Sequence, residues 1–422
     1  MPVPFWPILG KAAENAKEGS APMPGPFEGL KVVDVTTVVV GPYCTQMLSD
    51  LGADVTKVEA PDGDLTRLGG PKREGGLSST FLQLNRNKRA ITLDLKKPEA
   101  AEVLRKLVAD ADVFVHNMRP EPLARLGFDY EKVSALNPGI VYCNIWGFGR
   151  DGRYAGQAAF DDVIQGASGL VALEGFNGRE MRYVPMLLAD KLTGVMAAYA
   201  ISAALYHKLA TGEGQEVEVP MFESMTSFTM IEHLAGEAFV PPLGPPGSER
   251  HATPMRWPMQ SKDGYICVLP SSDKHWRVLC AACGREELLD DPRFATRAAR
   301  AQHRALVNDT LGEIVASKTN KEWLDVLPGA GVPCMQINLL DDVVADPHLR
   351  DVGFWHEADH PDEGRIRLMR APYSLSKTPP TIRSLPPRFG QDTAVVLHEL
   401  GYSEEQIAAM IEAGAAVAAS PK

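Results

Sequence analysis

Asp190 is the residue whose sequence surroundings most clearly suggest chemistry. It is the only acidic residue between Glu180 and Glu213, and an uncharged apolar run, Leu192–Tyr206, begins two positions later. Burying a carboxylate is costly, so such a group usually has a partner, a shifted pKa or a function. The pattern predicts that Asp190 is the N-cap of a helix that runs to about Leu209. The same helix N-terminus would keep the carboxylate ionised, as a nucleophilic acid requires.

Several basic residues could bind an anion. Arg119 and Arg125 follow the predicted strand Asp112–His116 and flank the start of a short predicted helix. The carboxyl end of a parallel strand that leads into a helix is a common phosphate site in α/β folds. Further cations occur at Asn87-Lys88-Arg89 and Lys96-Lys97, although such runs are more often solvated faces. Together these residues indicate an anionic ligand.

A glycine-rich loop follows the predicted strand Ile140–Trp146. Residues Gly147–Gly152 match the dinucleotide-binding pattern G-x-G-x-x-G. That fingerprint must open a helix, however, and the next residues, Arg153–Gly156, are not typical of one. A nicotinamide-dependent oxidoreductase is therefore kept only as an alternative function, supported by this loop and the α/β pattern.

The cysteines and histidines do not indicate a metal site. Cys280 and Cys283 have a zinc-like spacing, but no second Cys or His pair lies nearby and no H-E-x-x-H motif occurs. Cys280 and Cys283 are predicted to lie on the face of a helix that packs against the core. The six cysteines are scattered, which indicates no disulfide framework and is typical of a cytoplasmic protein.

The composition argues against several classes of protein. Of 422 residues, 45% are hydrophobic and 23% are charged, which argues against disorder. The net charge is −11, whereas nucleic-acid binding needs a basic surface. The segment Val3–Leu9 is broken by prolines and lacks a basic lead, so no signal peptide is predicted. No membrane span is predicted either, because Leu192–Tyr206 is shorter than roughly 20 residues.

Hydrophobic periodicity predicts alternating strands and helices from Leu30 onward, which is typical of a parallel sheet with helices on both faces. A Pro- and Gly-rich segment, Val240–Gly247, predicts a linker to a second region. The predicted strands are Lys31–Thr37, Asp54–Glu59, Asp112–His116, Ile140–Trp146, Gln215–Pro220, Tyr265–Leu269 and Cys334–Leu339. The clearest predicted helices are Tyr43–Leu51, Glu99–Ala109, Pro122–Leu126, Tyr130–Leu136 and Ser403–Ala413.

A set of short segments occurs in a characteristic order along residues 27–422. They are Gly41–Met47, Leu51–Val55, Asn87–Arg89, Leu93–Lys96, Ala111–Asn117, Leu126–Phe128, Thr211–Gln215 and Gly331–Cys334. In this order they resemble the class III CoA-transferases, the family that includes formyl-CoA transferase, carnitine CoA-transferase and the α-methylacyl-CoA racemases.

The resemblance implies a Rossmann-like large domain and a smaller α/β domain, in a ring-shaped chain that interlocks with a second copy as a homodimer. On that basis residues 1–26 are an N-terminal tail and residues 27–220 are the N-terminal part of the large domain. Residues 221–339 then form the linker and small domain, and residues 340–422 return to the large domain.

The resemblance also implies a mechanism and a binding site. Asp190 stands at the position of the family's nucleophilic aspartate, which forms an acyl anhydride and then an aspartyl-CoA thioester. Coenzyme A is a substrate, the other partners are acyl-CoA and free carboxylic acids, and no cofactor is permanently bound. Arg125 and Lys96 are the expected phosphate partners. The CoA-binding positions carried over are Val39, Val40, Leu93, Asp94, Leu95, Lys96, Asn117, Met118, Arg119, Arg125 and Phe160.

The chain departs from the formyl-CoA transferase pattern at several positions. Val39 replaces a glutamine, Ala60 replaces an arginine and Phe160 replaces a tyrosine, and the segment Arg250–Met259 lacks that enzyme's glycine run. These losses favour a larger or more apolar acid than formate or oxalate. An α-methylacyl-CoA racemase is the alternative, but that branch has a histidine as acid/base where this chain has Phe160.

Overall fold

The computed structural model describes residues 25–74, 76–175, 180–248 and 257–419. Among them the chain forms two compact units, the first within 1–174, 181–231 and 353–422 and the second within 175–180 and 232–352. The sequence predicted domain boundaries after residues 220 and 339. The structure instead assigns residues 221–231 to the first unit and residues 340–352 to the second. The predicted tail, residues 1–26, lies almost wholly outside the described residues.

The strands alternate with helices along most of the chain. They are β1 (Lys31–Val35), β2 (Asp54–Glu59), β3 (Lys88–Leu93), β4 (Val113–His116), β5 (Val141–Trp146), β6 (Gln215–Pro220), β7 (Met259–Gln260), β8 (Tyr265–Val268), β9 (Cys334–Gln336), β10 (Trp355–His360), β11 (Gly364–Met369) and β12 (Ala416–Val417).

The α-helices of the first unit lie before and after the second unit. The first nine are α1 (Val40–Asp50), α2 (Ser79–Leu84), α3 (Pro98–Ala109), α4 (Pro120–Leu126), α5 (Tyr130–Leu136), α6 (Asp161–Ala167), α7 (Leu170–Glu174), α8 (Leu188–Thr211) and α9 (Met221–His233). Those of the second unit are α10 (Asp273–Cys283), α11 (Arg297–Gln302), α12 (Arg304–Val315), α13 (Asn320–Val326), α14 (Leu340–Ala345) and α15 (Pro347–Asp351), followed in the first unit by α16 (Thr393–Glu399) and α17 (Glu404–Glu412).

A seven-stranded sheet forms the centre of the first unit. Its order is β12-β3-β2-β1-β4-β5-β6, in which β1 to β6 are parallel and β12 runs antiparallel to β3. The order reverses direction between β1 and β4. Such a topological switch point is where doubly wound sheets bind ligands at the carboxyl ends of their strands. The prediction of a parallel α/β sheet is confirmed.

Alternate residues of the strands pack on opposite faces of this sheet. In β4, Val113 and Val115 belong to a core that includes Ile201 of α8. Phe114, which lies between them, belongs to the core on the other side, together with Leu104 of α3. This period of two follows from the pleat of a strand. It explains why near-continuous apolar strands occur in a sheet that helices cover on both faces.

Helix α8 is longer than the sequence predicted, with 24 residues. By length and composition alone it could cross a membrane, which is weak evidence because a core helix of a soluble protein passes the same test. Ala197, Ile201 and Ala204 are in fact buried against the sheet. A Cβ at Gly194 would lie 2.7 Å from the carbonyl oxygen of Val40, so this glycine allows α8 to approach α1 closely.

The second unit has its own core beside a three-stranded antiparallel sheet of order β7-β8-β9. Trp276, Trp323 and Ile314 are buried there. Cys280 lies in this core and Cys283 packs against it, as the helix pattern predicted. Among the residues described, no group of three or more His, Cys, Asp or Glu side chains could hold a metal ion.

Sequence reasoning missed α2, the β10–β11 hairpin and β12. Tertiary hydrogen bonds join α2 to the hairpin, because the Gln83 amide donates to the carbonyl oxygen of Arg367 at 2.8 Å and accepts from the N–H of Met369 at 3.1 Å. Helix α2 has six residues and strand β12 has two, which are too few to show a periodic pattern. These elements depend on partners that are distant in sequence.

Candidate active site

A cavity of about 450 Å³ lies at the switch point of the sheet. Its wall includes Thr37 and Val38 after β1, Asn117 after β4, and Trp146 at the end of β5. Asp190 also lines it. The carboxyl ends of three neighbouring parallel strands therefore converge on the acidic residue that the sequence singled out.

The loop between β1 and α1 forms one wall of the cavity and has an unusual backbone. Val38 has a φ of 69°, in the left-handed region that a β-branched residue rarely adopts. A Cβ at Gly41 would lie 2.2 Å from Cβ of Thr36, so only glycine lets α1 begin this close to the strand. The Asn117 side chain accepts a hydrogen bond from the N–H of Thr37 at 3.0 Å and donates to its carbonyl oxygen at 2.9 Å. The two loops at the switch point are thereby joined.

A buried ionic network supports this loop. Lys57 donates to the carbonyl oxygen of Thr36 and to Asp64, both at 2.9 Å. Asp64 in turn accepts from the N–H of Val38 at 3.2 Å. The side chains of Lys57 and Asp64 are 0% exposed, so their charges depend on each other for solvation. The unusual conformation of Val38 is thus held in place from beneath the cavity.

Asp190 does not have the local role predicted for it. Helix α8 begins at Leu188 with Leu187 as its N-cap, and no side chain of that residue caps it. Asp190 lies in the first turn, where its own N–H donates to Oδ1 of Asp161 at 3.0 Å. The N-cap prediction is therefore wrong, because an acid from α6, distant in sequence, caps this turn instead.

The Asp190 carboxyl group is less acidic than the sequence predicted. Desolvation raises its pKa to about 7, the negative charge of Asp161 adds to the rise, and Lys191 opposes it. The helix N-terminus favours the ionised form by only about 0.3–1 kcal/mol, which is too little to offset burial and a like charge. Asp190 is thus a carboxyl group that can gain or lose its proton near neutral pH.

Arg150 contributes charge to the cavity wall, but its charge is already paired. It forms ion pairs with Glu216 and Glu218 of β6, and its guanidinium carbon lies 5.2 Å from the Trp146 ring centroid. Arg119 also lines the cavity, is exposed, and has no ion pair with any described residue. Arg119 is therefore the cation of this wall that is available to an anionic ligand.

The structure brings together some of the predicted binding residues and not others. Lining the cavity with Asp190 are Val40, Asn117, Arg119 and Phe160. Val39 and Met118 lie beside the cavity but not in its wall: Val39 precedes α1 directly, and the carbonyl oxygen of Met118 accepts from the Trp146 indole at 3.0 Å. The remaining predicted positions are not part of the cavity wall: Leu93, Asp94, Leu95 and Lys96 at the end of β3, and Arg125 in the last turn of α4.

Several cavity residues were not identified from the sequence. They include Thr37, Trp146, Phe148, Arg150 and Met221, which lie after β1, at or after β5, and after β6. A usable signal was present, because the ends of predicted parallel strands share one edge of the sheet. Their selection among many loop residues, however, depends on which strands are neighbours.

The glycine loop does not form a dinucleotide site. The N–H of Gly149 donates to Glu223 at 3.1 Å, and the N–H of Arg150 donates to Glu218 at 2.8 Å. Amide groups bonded to carboxylates are not available to a pyrophosphate. The helix that follows, α6, begins only at Asp161. The geometry thus gives no support to the nicotinamide alternative.

These features define an α/β enzyme with a buried, weakly acidic carboxyl group in a cavity at the switch point. Residues 27–393 match the family described as CoA-transferase family III. The succinate–glutarate CoA-transferase of Agrobacterium fabrum is 33% identical over 89% of this chain and 96% of its own length. The formyl-CoA:oxalate CoA-transferase of Shigella boydii is 31% identical over 92% of this chain and 99% of its own length.

A crystal structure of a CAIB/BAIF family protein from Brucella suis has the same fold. It superimposes with a TM-score of 0.78 and 34% sequence identity, covering 90% of this chain and 100% of that chain. The chain therefore belongs to the class III CoA-transferases and is an enzyme that transfers CoA. The family that the sequence motifs resembled is confirmed.

Arg119→Ala is expected to raise KM for an acyl-CoA substrate about tenfold or more while changing kcat little, because a charge-assisted hydrogen bond contributes about 1.5–3 kcal/mol. Arg125→Ala is the matched comparison and should raise KM less, because Arg125 lies outside the cavity wall. Steady-state kinetics with one acyl-CoA distinguish the two. An unchanged KM in Arg119→Ala would contradict this assignment.

Proposed function

We propose that Asp190 transfers CoA between carboxylic acids through covalent intermediates. A carboxylate oxygen of Asp190 attacks the thioester carbonyl carbon, the C–S bond breaks, and CoA leaves as the thiolate. The thiolate then attacks the Asp190 carbonyl carbon of the anhydride and releases the donor acid. The acceptor carboxylate then attacks the aspartyl-CoA thioester, the C–S bond breaks, and a second anhydride forms as CoA leaves as the thiolate. The thiolate attacks the acceptor carbonyl carbon of this anhydride, which forms the new acyl-CoA and releases the Asp190 carboxylate.

The burial of Asp190 in the wall of the switch-point cavity is the observation that carries this proposal. Asp190 is only 7% exposed, and Val40, Phe148 and Met221 are apolar neighbours on the same cavity wall. Anhydrides and thioesters hydrolyse, so the burial of Asp190 beside these apolar side chains limits the access of water to the intermediates. A poorly solvated carboxylate is also a stronger nucleophile than a hydrated one.

The start of α1 forms part of the wall of the same cavity. No side chain caps this helix at Val39, and Val40 lines the cavity. The first N–H groups of a helix have no partner within it. We infer that these groups stabilise the oxyanion that forms on the thioester carbonyl. The supported loop with Val38 would then maintain their direction.

The alternative racemase needs a second acid/base on the opposite side of the substrate α-carbon. Phe160 is 66% exposed and lines the cavity where that branch has a histidine, and its ring carries no proton. His116 is buried at the end of β4, bonded to Asn144, with its pKa lowered to about 4 by desolvation. Neither residue can serve as that base, which supports transfer.

The acid that accepts CoA is proposed to be larger or more apolar than formate or oxalate. Val40, Phe148 and Met221 on the cavity wall support this, as does the pairing of Arg150 with Glu216 and Glu218. The glycine-free segment Arg250–Met259, which also motivated the expectation, lies mainly outside the described residues. We further propose, from the resemblance to the family, that the chain is ring-shaped and acts as an interlocked homodimer in the cytoplasm.

Trapping the aspartyl intermediate tests the proposed function. The protein is incubated with an acyl-CoA and quenched with hydroxylamine, which converts an acylated Asp190 to a hydroxamate that is one NH group heavier. Trypsin cleavage after Arg182 and Lys191 releases the peptide Tyr183–Lys191, in which Asp190 is the only acid. Mass spectrometry should find the hydroxamate on this peptide only when acyl-CoA was present. Transfer without any adduct there would refute the mechanism.

A further inference from the structure

Asp161 touches the nucleophile's main chain without lining the cavity. Asp161 is the first residue of α6 and is only 3% exposed. Its Oδ1 accepts the hydrogen bond from the N–H of Asp190 at 3.0 Å. This N–H belongs to the first turn of α8, so it has no acceptor within the helix. A buried carboxylate from another element thus fixes the main chain at Asp190.

The second oxygen of Asp161 holds the segment that leads into α8. Gln165, one turn later in α6, donates from Nε2 to Oδ2 of Asp161 at 2.5 Å. The same amide donates to the carbonyl oxygen of Met186 at 3.0 Å, and its Oε1 accepts from the N–H of Val184 at 2.9 Å. The two side chains therefore hold both Asp190 and the residues just before α8.

We propose that Asp161 is a positioning residue for CoA transfer, which holds Asp190 through one carboxylate oxygen and the preceding segment through the other by way of Gln165. This inference rests on the proposed function of Asp190. A nucleophile must be held close to its productive position, since a displacement of about 1 Å can lower a rate about 100-fold. Asp161 sets this position from outside the cavity wall.

The charge of Asp161 has a second consequence for the same reaction. From α6 it raises the pKa of Asp190 beyond the effect of desolvation, while Lys191 of α8 lowers it. Arg119, Glu121 and Arg150 are the other charged side chains on the cavity wall. Because the protonated carboxyl is not nucleophilic, log(kcat/KM) of the unaltered protein should rise with pH to about 7 and level off above it.

Asp161→Asn tests the proposal in two ways: the pH dependence of kcat/KM is measured, and the effects on kcat and on KM are determined separately. Removing the like charge should move the acid limb of kcat/KM about one pH unit lower. The Asn amide can still accept from the N–H of Asp190, but its Nδ2 cannot accept from Gln165, so the segment before α8 is less firmly held and kcat at pH 8 should fall about 10–100-fold. KM for acyl-CoA should stay within about threefold. The variant's relative activity should consequently be higher at pH 6 than at pH 8, which a purely structural role would not produce.

Asp162→Asn is the matched control. Asp162 lies in the same turn of α6, is exposed, and its side chain forms no hydrogen bond or ion pair with another described residue. This variant removes the same formal charge and should keep the original kcat and pH profile. Equal behaviour of the two variants would overturn the proposal.

Asp161→Glu keeps the inference testable if Asp161→Asn does not fold. It retains the charge but displaces it by one methylene group, so kcat should fall about tenfold while the acid limb stays in place. An unaltered kcat would overturn the positioning role. Hydroxylamine trapping on the unaltered protein separates the two hypotheses: absence of an adduct at Asp190 refutes the mechanism, whereas an adduct together with unaffected Asp161 variants refutes only the positioning.

Discussion

Asp190→Asn is expected to lower kcat for CoA transfer at least about 10⁴-fold, the scale seen when a covalent nucleophile is removed. The amide cannot form the anhydride, and none of the other described residues of the cavity is a buried carboxyl group. CoA binding should stay within about tenfold, because the nucleophile contacts little of the ligand. Single-turnover kinetics and calorimetric titration with CoA measure the two quantities.

The free energy of unfolding is the control measurement for Asp190→Asn. The pKa of Asp190 is about 7 in the folded protein and near 3.8 in the unfolded chain. Between these values the folded state holds a proton that the unfolded state lacks, so the contribution of Asp190 to stability falls as the pH rises from about 4 to about 7 and is lowest above that. Asp190→Asn should therefore raise the free energy of unfolding by about 2–4 kcal/mol at pH 8 and by almost nothing at pH 4.

A more stable protein without transferase activity would show that the loss is chemical. A loss of CoA binding as large as the loss of kcat, or a destabilised Asp190→Asn at pH 8, would count against the assignment. Asp162→Asn serves as the charge-matched control here too, since Asp162 is exposed and should change neither quantity.

Lys57→Met is expected to lower the free energy of unfolding by about 3–5 kcal/mol at pH 7, the usual effect of leaving buried charges unpaired. Asp64 would lose its ion-pair partner, and the carbonyl oxygen of Thr36 would lose its donor. Asp34, which is also buried, would lose the favourable charge of Lys57 but keep its ion pair with Lys88 at 3.2 Å. Urea denaturation of both proteins measures the difference.

The same variant should raise KM for acyl-CoA, because Asp64 and Lys57 hold the loop that contains Val38. Lys132→Met is the control: Lys132 pairs with Asp129 on the surface, and its loss should change stability by less than about 0.5 kcal/mol. If Lys57→Met were no more destabilising than Lys132→Met, the network would not support the cavity loop.

Much of the large sheet could be predicted because its signals are local. Strands Asp54–Glu59 and Gln215–Pro220 have the predicted bounds, and the start of helix α3 differs from its prediction by one residue. Runs of β-branched residues and turns between them act over a few positions, so they are visible without partners. The hairpin β10–β11 has no comparable signal, since its strands are mostly exposed and β11 is bonded to α2, which is distant in sequence.

The sequence alone determined that a lone acid stands at the head of an apolar helix in an α/β chain with the motifs of the class III CoA-transferases. Tertiary structure decided its chemistry: Asp161 caps the helix in place of Asp190, and desolvation, together with the charge of Asp161, raises the pKa of Asp190 to about 7. It also decided which cations face the cavity, Arg119 but not Arg125. Desolvation and charge–charge interactions depend on distance in space, which the order of residues along the chain does not specify.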